Sequence, residues 1–498
     1  MNEAPTLGSH KTLFFTTLGF TVCFAAWMLN GVLVTFLAEQ RVFNWGPVEL
    51  GWLMGIPVLA GSIFRLFAGM LCDRYGGKFV CAAVLFLSAA PMYLLSYANG
   101  FTSFALLSFG FGLAGNFFAT GIAFTSYWYP KHWQGRALGI FGAGNAGAAI
   151  TTLAAPTLLD RLTGGLSNLE GWRTLPRIYA LALFCMGIAF LLFTENRKPK
   201  NAPETFLGLL APLKQVRVWR FGLYYFLVFG CFVAFSQWLV PYFVNVYALS
   251  LVSAGFCASL FSLPSGVIRA LGGWLSDAYG ARKIMYWVLG ASVLCSVLLS
   301  VPKMKIYSPG KGITAKLGGT VGEVTSSRIQ VGEYAYGMTE KTAASDDDPP
   351  DADLLVWPRK TAWQEPVVQQ GDKVKRRQLL ARGTTRIFFQ ANVWIYAALV
   401  LVIGTVWGIG KAAVYKYIPE YFPREVGSVG GMVGLLGGLG GFFCPIAFGY
   451  LLEWTGLWTS CWVLMFLLSV ACLAWLHKAV SAMMNQAAPP LAQRMESD

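Results

Sequence analysis

Apolar runs of about 20 residues, the length that crosses a ~30 Å hydrocarbon core, recur along almost the whole of this chain and constrain its fold more than any other feature. They fall near 12–38, 48–71, 79–98, 101–126, 136–159, 176–194, 219–247, 251–275, 284–301, 391–415, 425–452 and 457–476. Strand-like alternation is absent from them, which excludes a membrane β-barrel. Composition agrees. Of 498 residues, 56% are hydrophobic and 12% charged, against roughly a quarter charged in an ordinary soluble domain. The expectation is an all-α membrane protein with twelve transmembrane helices, embedded in a lipid bilayer.

A formal charge of +14 would suit nucleic acid, but its distribution argues against such a partner. With both termini in the cytoplasm, the short outer connections carry only Arg41, Arg161, Arg173 and Arg177, while the cytoplasmic segments hold 17 of the 38 Lys and Arg. Positive residues gather on the cytoplasmic side of membrane proteins, so this asymmetry predicts a multi-pass protein of the cell inner (plasma) membrane. The ten cysteines lie within or at the edges of the apolar runs and show no metal or disulfide spacing. They read as small packing residues. No metal site or cofactor is expected.

The chain repeats itself. GSIFRLFAGMLCDRYGGK at 61–78 is echoed by GVIRALGGWLSDAYGARK at 266–283, so that Arg65 matches Arg269 and Asp73 matches Asp277 at an offset of 204. Further on, Pro130 falls on Pro423, Gly144 on Gly437 and Gly147 on Gly440, all at an offset of 293. The jump of 89 residues locates a polar insert at 302–390, on the outer side by helix counting, between helices 9 and 10. Its Gly-bounded, β-branched runs predict a small β-rich excursion, followed by a flexible acidic loop at 345–353. The expected organisation is an N-terminal six-helix half at 1–195, a cytoplasmic linker at 196–218, and a C-terminal half at 219–498 that includes the insert.

Apart from residues at the very ends of spans, only Arg65, Arg269 and Lys411 among the basic residues fall inside predicted spans, and no Asp or Glu does so. A charge near mid-membrane costs ~2.5–3.5 kcal/mol on insertion scales, and it usually faces a cavity and serves a function. Arg65 lies eight residues before Asp73, about 12 Å inward at 1.5 Å per residue, and the repeat gives Arg269 the same depth. Two forked, planar guanidinium groups without buried acids predict a small oxyanion as ligand. Lys411 adds a third charge, read either as a proton carrier, because desolvation changes how a lysine holds its proton, or as a lysine snorkelling to the interface.

The pattern G-x3-R-x7-D-R-x-G-x-K at 61–78, echoed in register by Asp277, Gly280, Arg282 and Lys283, resembles the loop signature of the major facilitator superfamily. That resemblance implies a major facilitator fold, with Asp73, Arg74, Lys78, Asp277, Arg282 and Lys283 as gating residues at the cytoplasmic face. Two glycine-rich spans, GIFGAGNAGAA at 139–149 and GSVGGMVGLLGGLGGFF at 427–443, read first as surfaces for close helix packing. Gly142, Gly144, Gly147, Gly434, Gly437, Gly438, Gly440 and Gly441 belong to them. Combined with one arginine in each second helix, these spans resemble the nitrate/nitrite porters (NarK-like) of the superfamily.

The resemblance covers all twelve spans but not the insert. It implies that Arg65 and Arg269 clamp the anion, that Asn145 lies beside it, that Phe118 packs on its flat face and that Tyr225 joins the site. Phe117 and Tyr224 are the neighbours that could exchange roles with the last two. Lys411 and Tyr415 stand where exchangers carry a small polar residue and phenylalanine, a departure that looks like the proton-coupled nitrate branch. The expected function is nitrate import, with nitrite as second substrate, by proton symport in a monomer. Nitrate/nitrite antiport and a membrane nitrate sensor are the alternatives. An enzyme is not expected, since no nucleophile–base pair or phosphate-binding loop is present.

Overall fold

In a bilayer every backbone N–H and C=O must be satisfied within the segment, so apolar runs of this length fold as helices. The computed structural model describes residues 6–198, 210–341, 347–422 and 426–495. Pro423, residues 345–346 and residues 199–209 of the expected 196–218 linker lie outside them. Among the described residues, eleven helices are long and apolar enough to cross a membrane, and a twelfth span is a bent pair. In chain order these are α1 (Leu7–Glu39), α2 (Pro47–Tyr75), α3 (Gly77–Tyr97), α4 (Phe101–Trp128), α5 (Trp133–Leu162), α6 (Leu169–Phe193) and α7 (Val216–Tyr247). The bent α8 (Leu251–Val267 with Arg269–Tyr279) follows, then α9 (Ala281–Leu299), α10 (Val393–Tyr421), α11 (Ser428–Thr455) and α12 (Ser460–Met484). Helices α1 and α7 are the most enclosed, while α6, α9 and α12 turn most of their surface outward.

The repeat seen in sequence is repeated in backbone geometry. Helix α2 breaks at Phe64 (φ −77°, ψ −3°) and α8 at Ile268 (φ −72°, ψ −3°), in each case immediately before the arginine. Both helices then end on a glycine with positive φ, Gly76 at +91° and Gly280 at +84°, a conformation that other residues adopt only with strain.

The two halves meet through α2 against α11 and α5 against α8, and glycines set how closely. A Cβ on Gly51 would lie 2.4 Å from the Pro445 carbonyl oxygen, one on Gly55 2.7 Å from that of Phe442, and one on Gly449 2.5 Å from that of Pro47. On the other pair, a Cβ on Gly255 would lie 2.1 Å from the Thr152 carbonyl oxygen. Toward the opposite end of both pairs the glycines make no such approach: nothing among the described residues comes within 4 Å of a Cβ placed at Gly69, Gly135 or Gly273. Backbone contact therefore closes one end of the interface between the halves, and among the described residues the other end is splayed at these three positions.

The insert is a compact unit of its own, Val301–Tyr396. Strands β1 (Met304–Thr314), β5 (Arg359–Pro366) and β7 (Leu379–Phe389) form an antiparallel sheet in the order β1-β7-β5. A second sheet has the order β4-β3-β2-β6, from β2 (Gly319–Val324), β3 (Arg328–Val331), β4 (Tyr334–Gly337) and β6 (Lys373–Val374). Val321, Ile329, Val331, Tyr336, Val374 and Leu380 fill its core. Sequence reading expected strands only ahead of the acidic loop; three of the seven follow it. The pairing of Met304 with Phe389 explains why: the entering and leaving strands lie side by side, so the unit closes on itself where the helical chain is interrupted.

The acidic loop is held rather than loose where it is described. Asp348 pairs with Lys303, with Lys305 at 2.6 Å and with Arg386 at 3.4 Å. Partial burial raises the Asp348 pKa, but hydrogen bonds from Lys303 and Lys305 outweigh it and hold the carboxyl below its ordinary value. A depressed pKa contributes stability that is present above the unfolded value, ~3.9, and is lost as pH falls through the folded one. Asp348→Asn should remove that dependence. Hydrogen exchange of β1 and β7 in the intact protein should be faster in the variant at neutral pH, and should no longer accelerate specifically on acidification below about pH 4.

Candidate functional site

Irregular turns gather at one level of the helical bundle, and the candidate residues sit on them. Besides the breaks before Arg65 and Arg269, a 3-10 turn at Gly112–Asn116 precedes Phe118, and another at Ala143–Ala146 contains Asn145. A π turn at Phe226–Gly230 follows Tyr225 and contains Phe229. Such breaks are tolerated at membrane depth where they are enclosed by protein or line a cavity, and π turns concentrate at functional positions.

The two arginines converge on Phe118. The Arg65 guanidinium carbon lies 5.5 Å and that of Arg269 5.4 Å from the centre of its ring, within cation–π range. Phe229 stacks on Phe118 with centroids 6.1 Å apart and on Tyr225 at 4.9 Å. Tyr415 meets Tyr225 edge-on at 4.9 Å and lies 5.4 Å from the Arg269 guanidinium. Residues from α2, α4, α7, α8 and α10, drawn from both halves, thus build one aromatic column with cations along its sides.

The hydrogen bonds of Arg65 show which of its donors remain for a ligand. Its side chain is 3% exposed, and Nη1 donates to the Gly434 carbonyl at 2.7 Å. Nε and Nη2, the edge that forms a side-on fork, are buried without a partner among the described residues. Arg269 is less enclosed, and its Nη1 is likewise buried and unpartnered. No carboxylate lies within these spans away from their ends, so nothing inside the membrane neutralises the pair. Unmet charge-assisted donors in a dry site are what bind an oxyanion.

Lys411 is fully enclosed rather than directed to the interface, which corrects the snorkelling alternative. Its Nζ donates to Ser265 Oγ at 2.9 Å and lies 3.0 Å from the centre of the Phe232 ring. Ser265, four residues before Arg269, occupies the turn above it on α8, so Lys411 and Arg269 are linked through one helix. Asn145 is buried where α5 meets α8; a Cβ on Gly266 would lie 3.1 Å from its backbone carbon. Neither of its amide atoms has a partner among the described residues.

Sequence reasoning missed Phe229, Phe232, Ser265 and the Gly434 carbonyl. Phe229 and Ser265 lie one turn from residues already singled out, so helical spacing could have found them. Phe117 and Tyr224, the neighbours that could exchange roles with Phe118 and Tyr225, are also buried, and Phe117 packs on Phe190.

The glycine spans make room for this site as well as for helix contact. A Cβ on Gly437 would fall 2.2 Å from Tyr225 Cδ1, one on Gly434 3.5 Å from Arg65 Nη1, one on Gly438 2.4 Å from Ser62 Oγ, and one on Gly142 3.2 Å from Arg269 Cδ. Gly144, Gly147, Gly440 and Gly441 instead admit Phe20, the Thr21 carbonyl, the Phe226 carbonyl and Val233.

The six loop residues lie apart from the site, at the splayed end. Asp73 accepts from the Tyr127 hydroxyl, tying α2 to α4, and Asp277 pairs with Lys416, tying α8 to α10. Arg282 Nη2 donates to the Tyr421 hydroxyl at 3.4 Å. Lys78 donates through its backbone N–H to Asn196 Oδ1, and Arg74 and Lys283 lie over Tyr75 and Tyr279. Each contact stays within its own half.

Twelve candidate spans in two halves that meet around a cluster of buried cations belong to the class of membrane transporters. The sequence profile of the Major Facilitator Superfamily matches residues 15–310. The chain is 38% identical over 492 residues to a Thermus thermophilus protein named "Probable nitrate/nitrite antiporter NarK1", covering 98% of this chain and 95% of that one. It is 24% identical over 447 residues to the "Nitrite extrusion protein" of Bacillus subtilis, covering 90% and 88%. Among solved structures, a bacterial homologue of the lysosomal transporter Spinster superposes with a TM-score of 0.63 at 13% identity, over 96% of this chain and 98% of that one. The chain belongs to the major facilitator superfamily and, within it, to the NarK-like nitrate/nitrite porters. It is a transporter and not an enzyme.

The closeness of Gly437 to Tyr225 makes a direct test of the packing. Gly437→Ala should lower the melting temperature in detergent, since overpacking a tight contact costs about 1–3 kcal/mol. Gly69→Ala, in open space, should leave it unchanged or raise it slightly.

Proposed function

We propose that this protein imports nitrate, with nitrite as a second substrate, by proton symport through alternating access between its two halves. The observation that carries the substrate class is the buried Arg65, whose guanidinium lies over Phe118, as does that of Arg269, and whose Nε and Nη2 have no partner among the described residues. Nitrate is flat, with oxygens in one plane. A side-on guanidinium edge can bind two of them while an aromatic ring covers the face. The Thermus and Bacillus relatives, named for nitrate/nitrite antiport and nitrite extrusion, support the same anions.

In this reading both termini are cytoplasmic, the protein works as a monomer, and the contacts at Gly51, Gly55, Gly255 and Gly449 form a closed outer gate. The Asp73–Tyr127 and Asp277–Lys416 ties then hold the helices of each half together as the splayed, cytoplasmic end opens and closes. Arg65 and Arg269 clamp the anion, with Asn145, Phe118 and Tyr225 around it. Proton coupling falls to Lys411, with Tyr415, because the spans contain no mid-membrane acid or histidine. In its protonated form Lys411 donates to the hydroxyl it touches, Ser265. Electroneutral nitrate/nitrite antiport is the second reading, favoured by the name of the Thermus relative.

Proteoliposomes separate the two. Symport predicts nitrate uptake into nitrite-free vesicles when the outside is made acidic, collapsing with a protonophore. Uptake that requires nitrite inside and ignores the pH gradient assigns antiport instead. Lys411→Ser should abolish proton-driven uptake and spare exchange; an unchanged proton dependence would remove Lys411 from the coupling. Arg65→Lys keeps the charge but loses the fork. Loss of a hydrogen bond to a charged group, about 1.5–3 kcal/mol, should weaken nitrate binding by roughly ten- to a hundredfold, read by titration calorimetry.

A further inference from the structure

The insert carries an apolar loop whose position is set by a membrane helix. Leu354, Val356 and Trp357 follow the acidic stretch and are exposed, Trp357 by 80%. The core of the insert makes no use of them. The loop is nevertheless held in place. Asn392 Nδ2 donates to the Leu354 carbonyl at 2.8 Å, while its Oδ1 accepts from the backbone N–H groups of Trp394 at 2.9 Å and Ile395 at 3.2 Å. Asn392 is thus the cap of α10 and the tether of the loop in one side chain.

That helix fixes the depth. Helix α10 has 29 residues, about 44 Å at 1.5 Å per residue, so it exceeds the ~30 Å hydrocarbon core by enough to set its first turn among the lipid headgroups. Trp394 and Ile395 on that turn are themselves exposed and apolar. Tryptophan favours this layer because its ring is apolar and its indole N–H needs a wet partner. The loop is tied to that turn through Asn392, and beyond Pro358 come the exposed Arg359, whose Nη2 pairs with Asp351 at 2.7 Å, and Lys360, whose stem can lie along the apolar surface while its head reaches water.

From this placement we infer that Leu354–Trp357 is an interfacial anchor that enters the outer headgroup layer of the bilayer and holds the insert against the lipid surface. Its partner is phospholipid. The inference is independent of what the transporter carries.

Spin labelling of the full-length protein in phosphatidylcholine–phosphatidylglycerol vesicles tests it. Cys185 is the exposed cysteine and the other nine are buried, so Cys185→Ser gives a usable background. A label at Val356→Cys, with Trp357 intact, should collide several-fold more with oxygen, relative to an aqueous nickel chelate, than a label at Gln370→Cys on an exposed turn of the insert. Adding Trp357→Ser should shift the label at 356 toward nickel accessibility, without altering strand exchange protection. Equal nickel accessibility at 356 and 370 would overturn the anchor. So would a label at 356 shielded from both quenchers, which would mark a protein contact instead.

Discussion

Positive charge enclosed in the membrane without any acid to neutralise it is the constraint on which the rest of this structure depends. Arg65, Arg269 and Lys411 would each be costly in hydrocarbon, and the fold meets that cost with whatever neutral groups it has. A backbone carbonyl, Gly434, takes one donor of Arg65; a hydroxyl, Ser265, takes Lys411; and aromatic faces take the remaining field of all three. None of these partners cancels a charge. The site therefore keeps a net attraction for an anion, which a carboxylate in the same place would have removed.

Local structure follows from that need. A regular helix keeps its side chains at fixed spacing. The breaks before both arginines and the π turn in α7 re-aim side chains toward the midplane, and glycines in α5 and α11 admit the bulk that results. The α11 glycines thus serve the clamp and the interface between halves at once: Gly434 and Gly438 approach Arg65 and Ser62, while Gly441 and Gly449 face Val58 and Pro47.

The spans, the repeat and the paired arginines were legible in the sequence because each leaves a mark that survives without structure: length, offset and charge. The irregular turns were not. Phe226–Gly230 is as apolar as the rest of α7, so nothing in composition separates a π turn from an α-helix there. Phe229, one phenylalanine among 37, was marked only by its place one turn beyond Tyr225. In the insert, the acidic run suggested a loop without its own structure, since only the fold brings Lys303, Lys305 and Arg386 around Asp348. The expectation for Lys411 was ambiguous because a lysine near a span end reaches water or not according to its rotamer and neighbours, and here Phe232 and Ser265 enclose it.

The two halves share a scaffold but not a chemistry, and this difference bears on coupling. The arginines, the breaks and the glycine caps obey the repeat. At the offset of 293, however, Lys411 falls on Phe118, so the position that is a ring in the first half is a cation in the second. The ties at the splayed end differ in the same way: a neutral tyrosine hydroxyl holds Asp73, and a lysine holds Asp277. In the proposed mechanism, a symmetric clamp would let either half release the anion as the halves rock. An asymmetric charge would then make protonation act on the C-terminal half alone, through α8 and α10, where Lys411 donates to Ser265, one turn from Arg269. Direction and coupling can then reside in one half while binding belongs to both.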